Sequence, residues 1–333
     1  MEMHLLATIL LTVYAVLADA QVSSSKQEPA TPIIREDWQI QATEYVNSGR
    51  FEEAVRLVRG AIQKSRQRGE ASHRIAGELN DLGTIYHDMD RLPEAARCYM
   101  EAVTLLKSGG QDPRMLMTAL ENLAGLRLVE KRYSAAERLY REAGQLAASE
   151  FGEKSPQLGQ VLSGLAECRL STGRYREARE NSDQALKILE NFPAHPKLGL
   201  ARLLMSKALS HQGRYNEAET WMRGALDSWG TTLGVRHPTY ASGLAYLGTF
   251  LSAKRPEEAD RLFRQSLVIL QSSVGENHSY SAHVMLLYSR HLQLHGRKKE
   301  AKEMNRRGTL IMNGQNLRNH IAFTVDIESL AQP

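Results

Sequence analysis

The chain has 333 residues, of which 24% are charged, 42% hydrophobic and only 6% aromatic, and its formal net charge is +4. So few aromatics exclude a sandwich or barrel filled by aromatic and β-branched side chains, and point to an all-α protein whose helices meet closely through Ala and Leu. Basic residues are interspersed with acidic ones rather than massed on one face between stacking aromatics, which excludes a nucleic-acid-binding surface.

Leu5 to Leu17 is an uncharged, apolar-rich run of 13 residues, and Ala18-Asp19-Ala20 then supplies the small-x-small pattern that signal peptidases cut after. The run is short of the roughly 20 residues that a bilayer span requires. Residues 1–20 therefore read as a cleaved signal peptide. The mature protein reads as exported, periplasmic or secreted, with no stable membrane span. Met1-Glu2-Met3-His4 lacks the Lys or Arg that usually precedes such a run. Cleavage would remove Glu2 and Asp19 and raise the charge to +6. Residues 21–33, rich in Ser, Gln and Pro, are too polar to bury a core and are expected to form a flexible tether.

From residue 34 to residue 314 one phrase recurs. A small residue returns at Ala54, Ala95, Ala136, Ala178, Ala218, Ala259 and Ala301, in steps of 40–42 residues, inside a Gly-Arg-Tyr-x-Glu-Ala-like stretch. A fixed period of that size marks a stacked array in which each unit completes its neighbour's core. Seven arginines, Arg50, Arg91, Arg132, Arg174, Arg214, Arg255 and Arg297, fall in the predicted turn between the two helices of each repeat, a regularity that argues for a structural role. In repeat 2 the first helix carries Leu79, Leu82, Gly83 and Tyr86 on one face and the second carries Ala95, Tyr99 and Ala102, with Pro93 in its first turn. Arg202 in repeat 5 and Pro256 in repeat 6 stand where packing residues are expected. In repeat 7, Asn305 and Gly308 replace the large apolar residue and the Ala, as suits a terminal unit facing solvent.

Trp38, Tyr45, Ala54 and Ala61, like Leu82-Gly83, Tyr86, Ala95, Tyr99 and Ala102, resemble the tetratricopeptide pattern. The longer period comes from linkers such as Gly152-Glu153-Lys154-Ser155-Pro156, Gly234-Val235-Arg236-His237-Pro238 and Gly275-Glu276-Asn277-His278-Ser279. With Leu120-Glu121-Asn122-Leu123-Ala124 in a following helix, they are similar to the long-repeat, kinesin-light-chain-like subfamily of about 42-residue repeats, here in a bacterial exported form. That resemblance implies a right-handed superhelical solenoid of about seven helix pairs, binding a protein or peptide in the concave groove lined by first helices.

The resemblance places candidate groove residues at Asn80, Thr84, His87 and Asp88 in repeat 2 and at Glu121 and Asn122 in repeat 3. It adds Gln160, Ser163 and Glu167 in repeat 4, Lys207 in repeat 5 and Arg290 beyond. Asn122 matches the asparagine by which such arrays grip a ligand's backbone, although its equivalents are Asp81, Gly164 and Leu204. The Lys/Asn carboxylate clamp of chaperone-binding relatives is absent, because the groove alternates Asp88, Glu167, Lys207 and Arg290.

Past Gly314, read as a helix stop, Ile321 to Ile327 alternates apolar and polar residues, so residues 315–333 are expected to be extended. The tail is expected either to cover the last repeat or to offer a strand to a partner. Cys98 and Cys168 are the only cysteines, and a whole repeat lies between them. They are expected to be two separate buried thiols rather than a disulfide. No nucleophile with its base, phosphate cradle or Cys-x-x-Cys is present.

His283, His291 and His295 share one predicted helix and could hold zinc, but the position of the base in His-Glu-x-x-His is Leu292. His195, His237 and His278 recur in the linkers, as helix caps or linker packing. The sequence thus points to a non-enzymatic interaction scaffold with no cofactor. Self-assembly through the terminal repeat and tail is the alternative, and a metal-dependent hydrolase built on the histidines is a third, weaker one.

Overall fold

The structure is a computed structural model that describes residues 37–47, 50–89, 91–109 and 112–329, with side chains described as far as Gly314. The expected signal peptide (residues 1–20) and tether (residues 21–33) lie outside the described residues. Among the described residues every regular element is a helix. Residues up to Asn191 form one compact unit and residues from Phe192 onward a second.

The first unit holds four antiparallel pairs: α1 (Asp37–Asn47) with α2 (Phe51–Gln67), α3 (Ser72–Asp88) with α4 (Leu92–Gly109), α5 (Pro113–Val129) with α6 (Tyr133–Phe151), and α7 (Pro156–Ser171) with α8 (Tyr175–Leu189). The second holds three: α9 (Lys197–His211) with α10 (Tyr215–Thr232), α11 (Pro238–Leu251) with α12 (Pro256–Ser273), and α13 (Ser279–Leu294) with α14 (Lys298–Ser329).

The period has a direct physical cause. Ala54, Ala95, Ala136, Ala178, Ala218 and Ala259 are fully buried and Ala301 nearly so, each on the second helix of its pair where only a methyl fits. Large side chains fill the space beside small ones: a Cβ on Gly83 would stand 2.6 Å from the ring of Tyr99, and one on Gly199 would collide with the indole of Trp229. Phe263, fully buried, packs on Gly248 in the same way.

Starts and turns follow from single residues. Asp112 and Ser155 cap α5 and α7 by accepting from the amides of Met115 and Leu158. The linker histidines do the same work: Nδ1 of His195, His237 and His278 accepts from the amides of Lys197, Thr239 and Tyr280 at 3.1–3.2 Å. Pro113, Pro156, Pro238 and Pro256 begin helices, where the missing N–H has no partner to lose. Pro256 is therefore accommodated at a helix start rather than in packing. Between the helices of a pair the residue before the arginine takes the left-handed conformation, at Gly173, Gly213 and Gly296, and at Lys131 with φ 59°.

Three expectations change. Residues 315–329 are helical, because Gly314 keeps a helical rather than a left-handed conformation and so does not stop α14. Gly308 does not face solvent: a Cβ there would meet the Ala282 carbonyl oxygen at 2.8 Å, so the glycine lets α14 approach α13 closely, while Asn305 is exposed. Arg202 is half-buried and anchored, donating to the Gly224 carbonyl at 3.1 Å and to Ser228 Oγ at 2.8 Å on α10. Cys98 and Cys168 are both free and buried, on α4 and α7, and burial pushes their thiols up to about 11 and about 12.

Candidate functional site

Four of the seven recurring arginines join adjacent repeats. Arg91 reaches Glu52 at 3.6 Å, Arg174 reaches Glu137 at 2.6 Å, Arg255 reaches Glu219, and Arg297 reaches Asp260 at 2.5 Å. Each also pairs with the glutamate three residues on, Glu94, Glu177, Glu258 and Glu300. The Arg174 hydrogen bond holds the Glu137 carboxyl below its ordinary range. At Asp260 burial alone would raise the carboxyl, yet hydrogen bonds from Tyr288, Arg264 and Arg297 prevail and hold it at about 2. These arginines are occupied within the array, which fits the structural role read from their period.

The first helices carry a different and more varied set of contacts. In the first unit Gln39 on α1 donates to Asp81 on α3 at 3.5 Å, Asn122 on α5 donates to Asn80 on α3 at 2.8 Å, and Gln160 on α7 donates to Glu121 on α5 at 2.8 Å. The rungs join residues 42, 42 and 39 positions apart, so polar side chains of successive first helices lie on one common face. In the second unit the Lys207 ammonium on α9 sits 4.4 Å from the centre of the Tyr246 ring on α11, and that ring is 6.0 Å from His283 on α13.

Burial divides the eleven candidate groove residues. His87, Glu121, Asn122, Ser163 and Glu167 are buried. Asn80, Thr84, Asp88, Gln160 and Lys207 are partly exposed and Arg290 is exposed. Thr84 accepts from the hydroxyl of Tyr99 at 3.2 Å, and Ser163 turns its hydroxyl onto the Gly159 carbonyl at 3.0 Å. His87 Nδ1 lies 3.8 Å from Asp88. The reachable candidates are thus Asn80, Thr84, Asp88 and Gln160 within the first unit and, taken by itself, Lys207 and Arg290 within the second. Sequence reasoning missed Gln39 and Tyr246, and gave Asp81 only as an equivalent of Asn122. Comparing first-helix residues about one period apart for complementary polar pairs would have found them.

The three histidines of α13 and its end do not meet at one point. His291 Nδ1 lies 3.0 Å from Ser252 Oγ and His295 Nε2 lies 2.8 Å from the Ser252 carbonyl oxygen, while His283 faces Tyr246. Among the described residues no group of three His, Cys, Asp or Glu side chains is placed to hold a metal ion, and no helix is long and apolar enough to cross a membrane.

With this geometry in place, comparison with known proteins gives a consistent class. Residues 115–191 and residues 201–239 each match the tetratricopeptide repeat family. The human mitochondrial tetratricopeptide repeat protein 19 is 26% identical over 152 residues, which is 46% of this chain and 39% of that protein, so the chain spans well under half of that relative.

Among solved structures, a Rap protein complexed with competence and sporulation factor has a TM-score of 0.67 at 13% identity, over 84% of this chain and 74% of that one. The Rap conjugation gene regulator of plasmid pLS20, solved with the Phr* peptide, has a TM-score of 0.65 at 13% identity, over 94% and 96%. BtubC from P. vanneervenii has a TM-score of 0.54 at 23% identity, over 68% and 92%. Residues 115–191 and 201–239 thus carry tetratricopeptide repeats, and the described residues form an all-α fold like that of these repeat structures.

Proposed function

We propose that this chain is an exported, non-enzymatic scaffold of the long-repeat kinesin-light-chain-like kind, whose first-helix face binds an extended peptide or a peptide-like segment of a partner protein. The observation that carries this reading is the series of polar rungs in the first unit. Asn80, Thr84, Asp88 and Gln160 present amide, hydroxyl and carboxylate groups on one face of α3 and α7, steadied from below by buried Asn122 and Glu121.

Neighbouring helices pack about 8–10 Å apart, close to three residues of extended chain at about 3.3 Å each. A bound strand would therefore meet a fresh pair of donors and acceptors every three residues. Polar groups held by their neighbours lose little freedom on binding, so this arrangement favours orientation and specificity over raw affinity. The complex of the pLS20 Rap conjugation gene regulator, of the same fold, with the Phr* peptide supports the reading.

The test is selection of binding peptides from a random library against the mature chain, followed by photo-crosslinking of the tightest binder. Crosslinks on α3, α5 and α7 are expected, with binding weakened about tenfold by Gln160→Ala. Crosslinks confined to α4, α6 and α8, the second helices, would contradict the assignment. Targeting is tested separately, by fractionating cells that express the full chain and asking whether residues 1–20 are removed.

A further inference from the structure

The second unit contains a small cavity of about 200 Å³ where α12, α13 and α14 meet. That is room for about six water molecules at about 30 Å³ each, and it falls below the roughly 300–1,000 Å³ of sites that hold drug-sized ligands. Each helix contributes two residues about one turn apart, and α13 runs antiparallel to its neighbours, so the lining falls into two layers. Leu267, Met285 and Met304 make one layer, and it is wholly apolar. Gln271, Ser281 and Arg307 lie one turn away, beside Glu276 of the linker, and make a polar mouth.

We propose that this cavity is a site for a free α-amino acid with an apolar side chain, leucine or methionine in size, whose carboxylate pairs with Arg307 and whose ammonium pairs with Glu276. The charge pattern selects that ligand. Arg307 and Glu276 form an ion pair at the mouth, with side chains 35% and 46% exposed. A simple anion would satisfy Arg307 and repel Glu276, and a simple cation would do the reverse. A zwitterion replaces the one pair with two and leaves the net charge unchanged. Opening the pair costs little, because solvent screens an ion pair so exposed.

The apolar layer sets the size and kind of side chain. Met285 is buried, Leu267 and Met304 are half-buried, and flexible thioethers adapt to an irregular apolar guest. The Ser281 hydroxyl is turned onto the Gly275 carbonyl at 2.8 Å, and the Gln271 amide is a second neutral polar group at the mouth. A ligand there touches α12, α13 and α14 together, so binding should hold the last helix pair to the one before it and stabilise the unit. None of these residues belongs to the polar rungs of the first unit. The site therefore goes beyond the peptide-binding reading and stands or falls without it.

The experiment is isothermal calorimetry of the full chain with L-leucine and L-methionine at neutral pH, repeated with N-acetyl-leucine, which lacks the ammonium, and leucinamide, which lacks the carboxylate. Thermal unfolding is followed with the same probes. Expected are binding of leucine or methionine with a raised unfolding midpoint, binding at least about tenfold weaker for both blocked forms, and no binding of tryptophan, which exceeds the cavity. Arg307→Gln and Glu276→Gln should each weaken leucine about tenfold, with circular dichroism confirming the fold.

No binding of leucine or methionine at millimolar concentration, or both blocked forms binding as tightly as leucine, would overturn the amino-acid site. N-acetyl-leucine alone matching leucine would overturn it in favour of an apolar carboxylate, and leucinamide alone matching leucine in favour of an apolar amine. Leucine binding unchanged in both variants, or matched by tryptophan, would overturn the placement in this cavity. The scaffold reading fails on different evidence, crosslinks that avoid the first helices.

Discussion

The amide of Asn122 donates to the side-chain oxygen of Asn80 at 2.8 Å, across a separation of 42 residues. The asparagine that resembles a ligand-gripping residue is thus 5% exposed and used between repeats. A double-mutant cycle with Asn80→Ala and Asn122→Ala is expected to return a coupling of about 0.5–1.5 kcal/mol in chemical denaturation. Strictly additive losses would show that the pair does not hold the repeats together.

Lys131 takes the left-handed conformation that glycine takes at the equivalent turn positions 173, 213 and 296. A side chain there carries strain that glycine does not. Lys131→Gly should stabilise the chain by about 0.5–1 kcal/mol, read as a higher urea midpoint. A lower midpoint would mean that the stem of Lys131 contributes more than its backbone costs.

Acid should loosen the second unit in a definable window. His195 is held at about 4 by burial and then by Lys197, and His283 at about 4 by burial and then by Lys207 and Arg290. Burial lowers His237 and His291 as well. These folded-state values lie below the unfolded value of about 6.5. The folded chain therefore binds fewer protons than the unfolded one, and stability falls as pH drops from about 6.5 to about 4. The loss should be on the order of 1–3 kcal/mol for each of the two deepest histidines, and His195→Gln and His283→Gln should each flatten the pH profile. A flat profile for the parent chain over that range would contradict the assignment.

Asp260 titrates lower still. Held at about 2 against an unfolded value of about 3.9, it contributes stability that is present above pH 4 and lost as pH falls through 2. Asp260→Asn should cost about 1–2 kcal/mol at neutral pH, since Tyr288 and Arg297 lose a charged acceptor while solvent screens part of the effect. The same variant should lose less stability than the parent between pH 4 and pH 2. Parallel acid profiles would place the stabilisation elsewhere.

Much of the fold was legible because covalent regularity carries it. The small residue at Ala95, Ala136 and Ala178 must recur wherever two helices touch, and the linker phrases recur because Ser155, His237 and His278 must cap the next helix. The polar rungs were less legible. Their partners change from Gln39 and Asp81 to Asn80 and Asn122 and then to Gln160 and Glu121, with offsets that slip by a helical turn. A period fixes which face a residue occupies, but whether Glu121 is reachable or covered depends on a side chain one repeat away. The tail misled for a related reason: alternation at residues 321–327 mimics a strand, whereas Gly314 keeps its helical conformation and the helix continues.

Register decides where the binding face lies: the recurring alanine sits where two helices touch, and the first-helix face follows from that. Ala136 is fully buried and Ser134, two residues earlier on α6, is exposed. The decisive measurement is the thermal unfolding of Ala136→Glu beside Ser134→Glu. Ala136→Glu should lose about 3 kcal/mol or more by placing a carboxylate in a closed helix contact, while Ser134→Glu stays within about 0.5 kcal/mol of the parent. Equal melting of the two variants would contradict the register and, with it, the placement of the binding face.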